Sequence, residues 1–239
     1  MYSFKIDIAG SSIRCEVNFE YSYKLCKDHL TDRPEDFSVC ITAEDITAEI
    51  NRYDDGGQPA HSEAFMESLA LYRKICTELA LRDTVLIHGS SLMMDGEAVL
   101  FCAPSGTGKS THTRLWRETF GSRVLMINDD KPVVRMVDGV PVIYGTPWNG
   151  KHRIGTNTSA QLKHICFLRR GEKNVINSVG RTEALPTLLR YTFRPDGPLE
   201  TMAMLNTAEK ISQTVSFWDL ACNMDPEAAK VSFEGMIGK

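Results

Sequence analysis

Residues 98–119 read AVLFCAPSGTGKSTHTRLWRET, and the reading of this stretch decides the fold. The apolar run Ala98–Cys102 predicts a strand, and the residues from Thr111 onward predict a helix. Between them, Gly106 and Gly108 let the backbone curl so that successive N–H groups point inward, as a bound phosphate requires. Strand, glycine-rich loop and helix, in that order, is the context in which such a loop cradles a nucleotide. Lys109 would reach the β- and γ-phosphates, Ser110 would ligate Mg²⁺, and the helix N-terminus adds its positive dipole. Ser105, Gly106, Thr107, Gly108, Lys109, Ser110 and Thr111 are therefore the expected nucleotide-binding residues. The full signature is G-x-x-x-x-G-K-[ST], and its first position here is Ala103. A small side chain suffices there, provided its φ is negative. The competing reading is a glycine-rich turn with an exposed lysine. A chance match to the relaxed pattern is expected at about one to two per cent in a chain of this size.

A second segment, VLMINDDKP (124–132), predicts a strand that ends in Asp129 and Asp130. Adjacent carboxylates need a cation or a proton to coexist. Beside Lys109 and Mg²⁺ they would divide the work. One holds the metal directly or through water, and the other takes a proton from an attacking hydroxyl. The pattern leaves open which does which. Ser110, Asp129 and Asp130 are thus the expected metal set. Alone, a pair of aspartates marks a polar turn; its place after the phosphate loop makes it informative. His88, in LIHGSS, ends the strand before the hairpin that feeds the loop, and position alone assigns it no chemistry.

Composition bounds the rest. The chain has 239 residues, 42% hydrophobic and 24% charged, which is enough for one large core with or without a small appendage. A net charge of -4 and the absence of any basic run argue against nucleic acid as a partner. No segment approaches the roughly 18 apolar residues of a membrane span. The opening MYSFKIDIAGSSIRCEV has regularly spaced charges, so no signal peptide is expected. The seven cysteines are odd in number and scattered without a C-x-x-C pair. That usage suits a reducing cytoplasm and argues against zinc.

Along the chain, residues 3–18 alternate around Gly10 and predict a β-hairpin, with residues 37–42 as a further strand. Residues 51–62, NRYDDGGQPAHS, are the linker candidate, so the expected division is a β-rich extension over 1–55 and a kinase-like domain over 56–239. Apolar residues at three- and four-residue intervals predict a helix from Ser62 to about Leu81. Residues 84–102 hold two or three strands with a turn at Asp95-Gly96. RVLMIN (123–128), PVVRMV, VPVIY, KHICFLRR and NVINSV predict further strands, PVVRMV and VPVIY joined through Asp138-Gly139. Residues 182–192 and 199–213 are candidate helices, VSFWDL a strand, and Asp225-Pro226-Glu227 the start of a last helix. Consecutive hairpins beside a phosphate loop imply a mixed sheet rather than a doubly wound one.

Taken together, IHGSSLMMDGEAVLFCAPSGTGKST and MINDDKP resemble the catalytic domain of HPr kinase/phosphorylase, the bacterial enzyme that phosphorylates a serine of the phosphocarrier HPr. The loop is also similar to that of phosphoenolpyruvate carboxykinase. The resemblance is good over roughly residues 84–135 and loose elsewhere. It implies an α/β fold with a P-loop on a mixed, largely antiparallel sheet with flanking helices. It implies too that His88 contacts the transferred phosphate and that Asp129 and Asp130 supply the metal site and the base. This chain departs from the pattern at Ala103, and at Thr111-His112 where the family has glutamate. YGTPWNGKHRIGT (144–156) stands where the kinase has its capture loop, and a short β-rich start stands in place of the N-terminal domain of longer HPr kinases.

The expected function is an ATP- and Mg²⁺-dependent cytoplasmic kinase acting on a hydroxyl of a protein, peptide or small molecule, without nucleic-acid or membrane partners and with homo-oligomerisation left open. Trp148, Asn149, Lys151 and Arg153 are expected on the acceptor side, with the Trp148 ring partly exposed or packed on a ligand; equally, Trp148 anchors the loop to the core and the basic residues face water. Arg169 or Arg170 would clamp phosphate, or equally be a solvated strand end. The alternative is a nucleotide-binding regulatory module with slow or no ATP hydrolysis.

Overall fold

The first apolar alternation of the chain closes as a hairpin in the computed structural model, which describes residues 1–53 and 61–238. Strands β1 (Tyr2–Ile8) and β2 (Ser11–Val17) pair antiparallel across Ala9 and Gly10, both at positive φ. Strand β3 (Phe37–Cys40) joins β2 in parallel. Every second residue of the hairpin, from Ile6 and Ile8 to Ile13, Cys15 and Val17, is buried.

Two helices lie in the segment expected to be only β-rich: α1 (Glu20–Leu25) and α2 (Ala43–Tyr53). Their signal was local. Thr42 and Asp45 form a reciprocal cap at the start of α2, in which the Asp45 N–H donates to Thr42 Oγ1 at 3.3 Å and the Thr42 N–H to Asp45 Oδ2 at 2.9 Å. Helix α3 (Glu63–Ala80) starts one residue after Ser62, whose Oγ accepts from the Phe65 N–H at 3.3 Å. Of the expected linker 51–62, residues 54–60 lie outside the described residues.

The compact units divide after Leu79, as Met1–Leu79 and Ala80–Lys239. Glu67 on α3 shows why nearly all of that helix goes with the hairpin. It is fully buried, and its carboxylate accepts from the Asn18 N–H (2.5 Å), the Phe19 N–H (3.0 Å) and Ser22 Oγ (3.1 Å) at the start of α1.

The second unit is a curled mixed sheet with helices on both faces. Its strands are β4 (Thr84–Leu86), β5 (Ser90–Met94), β6 (Glu97–Cys102), β7 (Val124–Asn128), β8 (Val133–Val137), β9 (Val140–Tyr144), β10 (Ser159–Arg170), β11 (Val175–Val179) and β12 (Ser216–Cys222). The main path runs β4-β8-β9-β10-β6-β5-β7, with β12 pairing both β10 and β11. Only β10 pairs in parallel, with β6 and with β12. It starts antiparallel to β9 over Ser159–Gln161 and, past an irregularity between Leu162 and His164, turns to β12.

Strand β6 is buried on both faces, and its alternation divides the core. Ala98, Leu100 and Cys102 pack with residues of α5 (Arg181–Tyr191) and α6 (Pro198–Thr214). Val99, Phe101 and Ala103 pack with α4 (Lys109–Phe120) and α7 (Glu227–Met236). The capping at α7 differs slightly from expectation: Pro226 already has helical φ and ψ, and no side chain caps the helix.

Removing the Glu67 carboxylate strands three donors at the start of α1. Glu67→Ala is expected to lower the urea-unfolding free energy of the full chain by about 2–3 kcal/mol. An unchanged urea midpoint would show that the carboxylate is dispensable there.

Candidate active site

Strand β5 runs antiparallel to both β6 and β7, so the ends of β6 and β7 and the start of β5 share one edge of the sheet. The link from β4 to β5 closes the corner, with the Gly89 N–H donating to the Asp130 carbonyl at 3.0 Å. Gly89 has no room for a side chain: a Cβ there would lie 2.8 Å from the Phe101 carbonyl oxygen. His88, the loop after β6 and the aspartates after β7 are thereby gathered by topology.

The glycine-rich loop turns at Gly106 (φ 75°) and Gly108 (φ 126°), and α4 begins at Lys109. Ala103 is fully buried and is not among the described residues at positive φ. Lys109 is also buried, and its Nζ donates to the Ala103 carbonyl at 2.9 Å, closing the loop on itself. Burial holds the Lys109 ammonium below the usual lysine range, opposed in part by Asp130 and Asp129. Ser105, Gly106 and Ser110 are exposed, and Thr107, Gly108 and Thr111 are partly so. Arg170 donates to the Gly106 carbonyl at 2.8 Å, while Arg169 pairs with Asp219 at 3.0 Å. Pro104–Thr107 and Leu168–Arg170 line an open cavity of about 360 Å³.

Helix α4 is locked from behind. The Trp116 N–H lies 2.8 Å from Ser232 Oγ on α7 and 3.1 Å from His112 Nε2, and His112 Nε2 lies 3.1 Å from Ser232 Oγ. Burial pushes His112 down to about 4, so it is neutral at physiological pH and serves packing.

The two aspartates have different partners. Asp129 is 6% exposed, and Ser90 Oγ donates to its Oδ1 at 2.5 Å. Ser90 Oγ also lies 3.2 Å from Thr113 Oγ1 on α4. Asp130 has both oxygens engaged, Oδ1 by His88 Nδ1 at 3.1 Å and Oδ2 by Lys131 Nζ at 2.6 Å. Burial alone would raise Asp130, but the His88 hydrogen bond and the Lys131 charge override it and hold the carboxyl at about 2. Because an ionised aspartate only accepts, His88 presents an Nδ1–H to it.

Asn128 organises this corner and carried no role in the sequence reading. Its Oδ1 accepts from the Asp130 and Lys131 N–H groups at 2.9 and 2.8 Å, and its Nδ2 donates to the Thr146 carbonyl at 3.2 Å. An asparagine at a strand end ahead of two aspartates is the signal for this turn. Ser90, Thr113 and Lys131 were missed as well, because no local pattern marks them.

Asn128 also fixes the loop 145–156. A Cβ on Gly145 would fall 2.1 Å from the Thr156 carbonyl oxygen, and one on Gly155 would fall 2.9 Å from that of Ile127. The loop therefore lies flat on the end of β7. Trp148 is 6% exposed, which excludes the partly exposed ring and agrees with the reading in which it anchors the loop to the core. The proline beside it does not expose the ring, because the glycines let the backbone fold back. Asn149 is half-buried, and its Oδ1 has no hydrogen-bond partner among the described residues. Lys151 and Arg153 are exposed.

No family model matches the sequence, and no curated protein matches it. Among solved structures, the HPr(Ser) kinase/phosphatase from Coxiella burnetii is similar, with 10% identity and a TM-score of 0.37 over 64% of this chain and 97% of that one. The likeness is distant. No helix among the described residues is long and apolar enough to cross a membrane. Among the same residues no group of three or more His, Cys, Asp or Glu could hold a metal ion by itself.

Asp130 gives the corner a pH signature. A carboxyl held at about 2 contributes stability that is fully present above the ordinary aspartate value of about 3.9 and is lost as pH falls through its folded value. The difference in melting temperature between wild type and Asp130→Asn should therefore shrink as pH drops from about 4 to about 2. A constant difference over that window would mean that Asp130 is not held by His88 and Lys131.

Proposed function

We propose that the second unit is a kinase that transfers the γ-phosphoryl of ATP to a hydroxyl, either a serine of a protein or peptide or a small molecule. One observation carries this reading. A buried lysine in a glycine-rich loop faces two aspartates, and one of these accepts a hydrogen bond from a histidine. The N–H groups of Gly106–Thr111 and the start of α4 bind the phosphates, and Lys109 leaves the Ala103 carbonyl for the β- and γ-oxygens.

The donor set fits Mg²⁺, which takes one or two carboxylates together with phosphate oxygens and water. Ser90 engages one oxygen of Asp129 and leaves the other for the ion, and the exposed Ser110 hydroxyl adds a ligand. When bound, the ion neutralises charge on the transferred group. Asp130 is engaged by His88 and by the Lys131 ammonium and is a weak base. In this reading it orients His88, whose Nε2 takes the proton of the acceptor hydroxyl. His88 thus acts on the acceptor, where the family resemblance assigned it to the phosphate.

Lys109→Ala should reduce Mg-ATP affinity by at least tenfold in calorimetry, since the cation of the loop is lost. Equal affinity in the variant would falsify the phosphate-loop reading. Incubation with γ-labelled ATP and a cell extract should label a hydroxyl acceptor; acceptor-independent hydrolysis alone would favour a regulatory module.

Asp129→Asn and His88→Gln should each lower transfer by about 10²–10⁴-fold. Only His88→Gln should also alter the shape of the pH–rate profile. If both variants turn over at wild-type rates, these roles are wrong.

A further inference from the structure

The loop that folds onto the aspartates ends in a cluster of positive charge that nothing in the site has yet used. Gly150 is at φ 81°, and a Cβ there would lie 3.4 Å from Asp130 Cβ and 3.6 Å from the Asp129 carbonyl oxygen. Consecutive Cα atoms are about 3.8 Å apart, which places the Lys151 Cα within about 9 Å of Asp130 Cβ. A lysine side chain reaches about 6 Å from its Cα, so the Lys151 ammonium can meet a ligand held beside Asp130. Lys151, His152 and Arg153 are all exposed, and no ion pair or hydrogen bond ties their side chains to a described residue. By contrast, Arg123, Arg169, Arg170 and Lys210 all have acidic or carbonyl partners.

Backbone strain points the same way. Five described residues other than glycine have positive φ, and three of them, Ala9, Asp95 and Asp138, stand before a glycine in a hairpin turn. Asp83 is of the type that tolerates this conformation. Arg153, at φ 47°, has neither excuse: it is a long side chain followed by Ile154. A residue held in this region costs on the order of 1–3 kcal/mol, and such residues cluster at ligand clamps.

We infer that Lys151 and Arg153 bind a negative charge on the acceptor, so that the substrate class is a hydroxyl flanked by a carboxylate or a similar anion. The inference rests on the kinase reading above. Two aspartates and a triphosphate make the site repel an anionic acceptor unless cations stand beside them. These two residues follow directly from the turn that touches Asp130. A planar guanidinium held by a strained backbone suits bidentate recognition of a carboxylate, and the ammonium adds a mobile second contact. The same chemistry is presented by an acidic peptide and by a small hydroxy acid.

The test uses the full chain with Mg²⁺ and γ-labelled ATP. The acceptors are a serine peptide flanked by glutamates, the same peptide flanked by lysines, and glycerate against glycerol. At least one anionic acceptor should be labelled with a kcat/KM tenfold or more above its cationic or neutral counterpart. Labelling of the peptide alone or of glycerate alone identifies the source of the anion. In Lys151→Ala/Arg153→Ala the preference should fall below threefold through KM, with Mg-ATP affinity within twofold of wild type. Lys151→Glu/Arg153→Glu should reverse it, and circular dichroism reports whether each variant is folded.

Equal labelling of the charged and uncharged members overturns the inference, as does no labelling of any anionic acceptor. So does a folded double variant that keeps the preference, or one that loses Mg-ATP affinity instead. Wild type that binds no Mg-ATP overturns the kinase reading itself, and the inference falls with it. Wild type that binds Mg-ATP but shows no charge preference overturns the inference alone.

Discussion

Two neighbouring carboxylates at a largely buried strand end set the terms for the second unit. Asp129 and Asp130 repel each other, and each must be compensated where little water reaches. Compensation comes from separate elements: Ser90 at the start of β5 for Asp129, and His88 at the end of β4 with Lys131 for Asp130. Lys109 adds its charge from the first turn of α4. Antiparallel β5 between β6 and β7 is what brings these partners to one edge. A doubly wound sheet would place a parallel strand there and send the start of β5 to the opposite edge.

Close backbone approach is the second constraint. Gly89, Gly145 and Gly155 each sit where a Cβ would come within 3.0 Å of another residue's carbonyl oxygen, and together they press the loops of this corner onto β6 and β7. Asn128 then joins the aspartate turn to the loop at Thr146 through four hydrogen bonds. Rigid packing on this side contrasts with the exposed cationic turn that follows Gly150. On the proposed kinase reading, a fixed acidic corner with a charged loop anchored beside it would hold two reactants in register, which is where much of the rate of a group transfer arises.

Much of this was legible in the chain itself. The apolar run Ala98–Cys102, the glycines at 106 and 108 and the aspartates after VLMIN each carry a local physical signal. Hence the strand, the loop, the helix and the strand-end acids could be written down from residue types. Helix α2 carries a local signal too, the Thr42–Asp45 cap at its start. The boundary after Leu79 was not legible, since a fully buried glutamate reaching back to the start of α1 leaves no mark in composition.

What the sequence determined by itself is therefore local: periodicity, turn chemistry and the residue types at the ends of β6 and β7. Tertiary structure alone decided which groups meet. Ser90 gains its place from strand order and Thr113 from the packing of α4, Trp148 is buried because three glycines fold its loop back, and Asp129 and Asp130 differ through their partners, of which only Lys131 is a neighbour in the chain. Hydrogen bonds and charges act over a few ångströms in space. Spacing along the chain specifies such distances within a helix or a strand, and not between elements that the sheet brings together.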